Sequence, residues 1–175
     1  MRLVVVAASV ALGLALLGAA KQARAFERQW HVGGGAGVSG GNGLSLSPAL
    51  GLYAAYGISD VFDTRLELTM RGYQLGSDQD PNGLSAMLGL TYKLDVLTWV
   101  PWGGVYVGYQ GFDAVPRAGL VFQQHDVALG LGVGLDYGWS RSFGLGVTLR
   151  FDDALSRAEA ASFDALLRAE YRWGW

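Results

Sequence analysis

S-F-D-A-L-L-R-A-E-Y-R-W-G-W, residues 162–175, decides how this chain is read. Counting back from Trp175, every second residue is apolar or aromatic: Trp173, Tyr171, Ala169, Leu167, Ala165, Phe163. The residues between them are Arg172, Glu170, Arg168 and Asp164, with Gly174 and Leu166 the two departures from polarity. Side chains alternate between the two faces of a strand, so the stretch is one strand with an oily face and a charged face.

The same period of two recurs upstream. It predicts strands at 28–38, 48–58, 62–73, 84–94, 99–109, 127–139 and 143–151, eight in all with 162–175. The sixth is the cleanest: Val127, Leu129, Leu131, Val133, Leu135 and Tyr137 alternate with Ala128, Gly130, Gly132, Gly134, Asp136 and Gly138. In the fifth, Val105, Val107 and Tyr109 are read as outward and Gly104, Tyr106 and Gly108 as inward. Pro101 is tolerated because it stands at the start of its strand. The connections alternate too. Those at 39–47, 74–83, 110–126 and 153–161 are long, and those between are about 3 or 4 residues, the layout of a membrane barrel with loops on one side and turns on the other. An even strand number lets the last strand close on the first, which lipid demands because unpaired backbone groups there cost several kcal/mol.

Composition points the same way. The chain has 175 residues, 27 glycines, 6 Trp and 8 Tyr, and no cysteine. Residues 1–25 read as a signal peptide: a basic start, an apolar run, then Ala23-Arg24-Ala25 as a small-x-small cleavage site. Residues 26–175 are then the barrel domain. Losing Arg2, Lys21 and Arg24 from the 13 basic residues leaves ten against 15 acidic, which argues against nucleic acid as a partner. Without cysteine there is no disulfide to help the fold.

A soluble eight-stranded barrel alternates as well, with its oily face inward. Three features favour the oily face outward. The polar set is rich in glycine, a poor residue for a water-facing strand. The apolar set carries aromatics near strand ends, as at a membrane–water interface. That set also contains no charge.

At this level of detail the chain resembles the small outer-membrane β-barrels of the OmpA-like and opacity-protein superfamily. The residues that carry the likeness are G-L-Y-A-A-Y-G-I-S-D-V-F-D-T-R-L-E-L (51–68), Y-K-L-D-V (92–96) with W-V-P-W-G-G-V-Y-V-G-Y (99–109), and A-L-G-L-G-V-G-L-D-Y-G-W-S-R-S-F-G-L-G-V-T-L-R-F (128–151). The resemblance implies an eight-stranded antiparallel transmembrane up-and-down barrel in a Gram-negative-type outer membrane, with outer-membrane lipid as its surroundings. It implies that the barrel-assembly machinery recognises Tyr171, Trp173 and Trp175 during biogenesis. It also implies a barrel without the periplasmic wall-binding domain of longer members.

The inward set collects Arg65, Glu67, Arg71, Lys93, Asp136, Arg150, Asp152, Asp164, Arg168, Glu170 and Arg172. An eight-stranded barrel is only wide enough for side chains to fill it, and buried charges must pair. Depth along each strand predicts a lower network centred on Glu67 and Glu170, ringed by Arg65, Lys93 and Arg172. Arg71, Arg150 and Arg168 fall higher. The glycine rows of strands one, six and seven are expected to make room for long arginines. The reading is a side-chain-filled lumen with a structural or surface-interaction role. The alternative is a narrow channel for small apolar solutes, as in OmpW-like barrels. A lipid A-modifying enzyme is the remaining possibility: His125 and Asp126 supply two parts of an acyl-transfer set, with no third. No cofactor and no metal spacing is evident; G-x-S-x-G is absent. His125 reads as a solvated loop residue and His31 as lumen-facing with a local hydrogen bond. The loop 110–126 holds Phe112, Val115, Leu120, Val121 and Phe122, a candidate surface for an unidentified partner or a cover for the barrel mouth.

Overall fold

The structure is a computed structural model that describes residues 28–41, 44–72, 83–94, 98–117, 120–155 and 161–174; for 44, 45, 112–117 and 120–124 it describes the backbone only. The expected signal peptide and Trp175 lie outside the described residues, as do most of the connections expected at 74–83 and 153–161. Eight strands run in chain order: β1 (Trp30–Gly41), β2 (Leu44–Gly57), β3 (Phe62–Arg71), β4 (Gly83–Lys93), β5 (Trp99–Arg117), β6 (Leu120–Gly138), β7 (Phe143–Ala154) and β8 (Ser162–Trp173). Each pairs antiparallel with its sequence neighbours, and β8 pairs with β1, so the sheet closes with no edge along the barrel wall.

Alternation is resolved in favour of the oily face outward. Leu129, Leu131 and Val133 of β6 are exposed, whereas Ala128, Gly130 and Gly132 between them are buried. In β5, Val105, Val107 and Tyr109 are exposed and Tyr106 is buried. Water could not hold such a wall, because a contiguous apolar surface of this extent drives association. Lipid can.

At the short-turn end every strand carries an aromatic, and they meet in cross-strand pairs. Trp30 packs on Tyr56 with ring centroids 4.9 Å apart, Phe62 on Tyr92 at 5.2 Å, Trp99 on Tyr137 at 4.8 Å and Phe143 on Tyr171 at 5.1 Å. Each is a register pair of neighbouring strands. Trp173 stacks against both Trp30 and Tyr171, which carries the girdle across the β8–β1 closure. Two of the turns below it share one device. Ser59 and Ser140 each accept a hydrogen bond on Oγ from the amide of the Phe three residues on, Phe62 and Phe143, both at 3.0 Å. A hydroxyl that mimics a backbone acceptor lets a short turn close.

Two sequence expectations are corrected. The long connection at 110–126 is instead the top of a hairpin: β5 and β6 continue to Arg117 and Leu120, with a register shift between Phe112 and Val115. Likewise most of 39–47 belongs to β1 and β2, paired as far as Gly41 with Leu44. On β5 and β6 backbone pairing continues above the apolar wall while the sequence alternation lapses, because with water on both faces neither side has to be oily; on β2 the alternation does continue, with Leu46 exposed and Ser47 buried. His125 therefore lies on a strand and not in a loop. The apolar side chains expected on that hairpin are outside the described residues.

Candidate functional site

The lumen is the candidate site, and its contents follow from the inward half of each strand. Six basic side chains (Arg65, Arg71, Lys93, Arg150, Arg168, Arg172) and six acidic ones (Asp63, Glu67, Asp136, Asp152, Asp164, Glu170) are buried there, so formal charges cancel among the described residues. Asp63 is the one member missing from the set expected from the sequence. Its position, two before Arg65 and four before Glu67, is the signal that could have found it.

The upper cluster turns on Arg150 of β7. Its Nη1 donates to Glu67 at 2.6 Å, its Nε to Asp152 at 3.1 Å, and its Nη2 to Thr69, Ser85 and Asp164 at 2.9, 3.0 and 3.0 Å. Arg71 of β3 grips Asp164 with two bonds, Nε at 2.9 Å and Nη2 at 2.7 Å, and reaches Asp152 at 2.9 Å. These bonds brace β3 against β7 and β8 through the barrel interior. Bidentate geometry makes the Arg71–Asp164 pair directional as well as strong.

The lower cluster turns on Glu170 of β8. It accepts from the Tyr53 hydroxyl at 2.5 Å, sits 3.1 Å from His31 Nδ1, and is paired with Arg172. Lys93 pairs with Asp63 at 2.5 Å, and the Thr91 hydroxyl bonds to the same carboxylate. Between the clusters lies a layer of rings and guanidiniums. Arg65 stands over Tyr53 and Trp102, its Cζ 4.7 and 4.4 Å from the ring centres, and Arg168 over the same two rings at 4.8 Å each. Arg168 donates to Asp136 at 2.6 Å.

The lower network expected from the sequence gains partners. Glu170 is paired with Arg172 and lies in the field of Lys93, Lys93 also pairs with Asp63, and Glu67 keeps Arg65 at 3.5 Å while taking Arg150 from above at 2.6 Å. Depth counted along each strand ignores the stagger that barrel closure imposes, and an arginine spans that offset. The glycine rows make room for rings as well as arginines. A Cβ at Gly134 would stand 2.5 Å from the Trp102 indole, one at Gly33 2.6 Å from the Tyr53 ring, and one at Gly35 3.0 Å from the Arg168 stem. Parity already places Tyr106 inward, yet the sequence does not single out Tyr53, Trp102 and Tyr106 as site residues, because an uncharged ring does not call for a partner as a buried charge does.

On the outer wall, His125 is exposed and stacks on Tyr109, ring centroids 5.6 Å apart, with the Tyr109 hydroxyl bonded to its Nδ1. Asp126 is the next residue on β6 and faces the other way, opposite Gln110. Among the described residues no group of three or more His, Asp or Glu stands close enough to hold a metal ion. Tyr171 and Trp173 are both on the outward face, in the girdle.

No family model and no curated protein matches the chain. Solved structures do. The N-terminal β-barrel domain of Pseudomonas aeruginosa OprF superposes with a TM-score of 0.65 at 13% identity, over 84% of this chain and 98% of that one. Neisserial surface protein A gives 0.63 at 15% identity, over 84% and 96%. The attachment invasion locus protein Ail of Yersinia pestis gives 0.60 at 16% identity, over 84% and 99%. The chain has the fold of the small eight-stranded outer-membrane barrels.

Proposed function

We propose that this protein is an integral barrel of a bacterial outer membrane with a structural or surface-interaction role, its lumen closed to ion flow by its own side chains. The observation that carries the reading is the cross-braced interior: among the described residues twelve charges cancel there, with arginines of one strand bonded to carboxylates of others across the lumen. A barrel of this strand number is of the size that side chains fill. The purified protein in a planar bilayer is the test. The expected trace is flat; reproducible ion-selective steps would replace this reading with a channel.

Biogenesis belongs to the same proposal. Residues 1–25 direct export and are removed, and Tyr171, Trp173 and Trp175 present the aromatic strand to the assembly machinery. Deleting Trp175 should leave unfolded protein in the periplasm; normal heat-modifiable barrel on a gel would count against that role.

A second reading, passage of small apolar solutes, draws on one feature. A groove of about 510 Å³ lies on the outer wall at the upper end of β2–β6, beside the exposed Pro48, Leu50, Met70, Leu84, Tyr109 and His125, where an apolar solute could leave the barrel sideways into lipid. Faster entry of an apolar dye into vesicles bearing the barrel would favour it. No catalytic role is proposed, since His125 and Asp126 project to opposite sides of β6. Lipid A from cells carrying His125→Ala should have an unchanged mass.

A further inference from the structure

One place on the oily wall is neither flat nor wholly apolar. Leu50, Met70, Leu84, Gly111 and His125 form a single register row across β2 to β6, on the outward side of the sheet. The first three are exposed apolar side chains, and the glycine leaves a gap before His125. Tyr109, one step below on the same face of β5, lies across that gap: a Cβ at Gly111 would stand 2.6 Å from its hydroxyl. Placed there, the ring stacks on His125 and bonds to its Nδ1. The groove of about 510 Å³ is thus apolar on its β2–β4 side and ends on the Tyr109–His125 pair.

Height along the wall puts this groove at the boundary between lipid and water. Tyr109 is ten residues beyond Trp99, the girdle ring of its own strand. At about 3.4 Å per residue and a tilt of about 40°, it stands about 26 Å above the girdle, close to the full height of the apolar band of such barrels. Met70 and Leu84 are each eight residues from the girdle rings of their strands, Phe62 and Tyr92, and by the same measure stand about 21 Å up. The groove therefore begins among acyl chains and ends among headgroups. Its polar end offers a donor: with the Tyr109 hydroxyl donating to Nδ1, the imidazole hydrogen is on Nε2. Among the described residues no carboxylate lines the groove.

We propose that this groove holds one phosphate-bearing acyl lipid of the surrounding leaflet, with a chain along Leu50, Met70 and Leu84 and a phosphate oxygen accepting from His125 Nε2. Aliphatic side chains alone accept any acyl chain, and an apolar solute would use nothing else. The His125–Tyr109 pair at headgroup height adds the selection, an exception on an otherwise aliphatic wall. A seated lipid also closes the sideways exit considered above. The site rests on the oily wall meeting lipid.

Native mass spectrometry of the full barrel tests it, the protein being released into mild detergent from vesicles of lipid A or of dephosphorylated lipid A. One lipid A should stay bound per barrel. The dephosphorylated form should be held at least about tenfold more weakly, the effect of losing one hydrogen bond to a charged group. His125→Phe keeps a ring against Tyr109 and removes the donor, and should erase the difference between the two lipids. Met70→Trp fills the groove and should lose the bound lipid, whereas Leu149→Trp, on the outward face of β7, should keep it. Equal retention of the two lipids by the unaltered barrel, or retention indifferent to Met70→Trp, would overturn the site. Were the oily wall in water, no variant would retain either lipid, which separates failure of that reading from failure of the site.

Discussion

The two faces of the barrel wall are made from the same strands and obey opposite rules. On β6, Leu129, Leu131 and Val133 face out and are exposed, while one residue away Gly130 and Gly132 leave room for inward rings and Asp136 receives Arg168. The outer face is chemically uniform and tolerates exchange of one aliphatic residue for another. The inner face is specific: its charges have particular partners on other strands, and its large rings lie against glycines. Position along the chain matters little outside and a great deal inside.

Replacing Arg150 with Met should have the largest effect. It removes five hydrogen bonds and leaves Glu67, Asp152 and Asp164 short of a cation. Breaking a buried ion pair by removing one partner costs about 3–5 kcal/mol, to be read from urea unfolding in lipid vesicles. A loss under about 1 kcal/mol, the range of an exposed pair, would mean that the network adds little to stability.

Leu131→Arg tests the outer face. A charge near mid-height on the lipid side should cost about 2–4 kcal/mol, whereas Leu131→Ile should cost little. Gly134→Leu tests the fit of the inner one. Its side chain would meet both the Trp102 indole and the Val147 carbonyl of β7, each 2.5 Å from the added Cβ, and overpacking of this kind costs about 1–3 kcal/mol. Pairing it with Trp102→Ala should recover part of that loss; no recovery would show that the glycine serves something other than the ring. The smallest effect is expected at the girdle. Phe62→Leu removes one cross-strand aromatic pair, worth about 0.5–1.5 kcal/mol beyond the area buried.

These differences explain what can be read from the sequence. Strand number, facing and closure are legible because lipid and lumen make opposite demands on adjacent residues, and a period of two records both. The full length of the β5–β6 hairpin is not, since above the wall the ladder persists without that demand. Inward residues such as Arg65 and Glu170 can be identified by parity alone. Their partners cannot, because stagger between strands decides whether Glu67 meets Arg150 or Lys93. Asp63 is legible by the same parity as Arg65, so the rule has to be applied to every residue of a strand.

The account stands on which face meets lipid. The chain has no cysteine, so single cysteines can be placed at each position from 128 to 133 and labelled with a nitroxide in the vesicle-embedded barrel. Labels at 129, 131 and 133 should be accessible to oxygen and shielded from a water-soluble nickel reagent, with 128, 130 and 132 shielded from both. Nickel access at the odd positions would put the oily face in water and contradict the account.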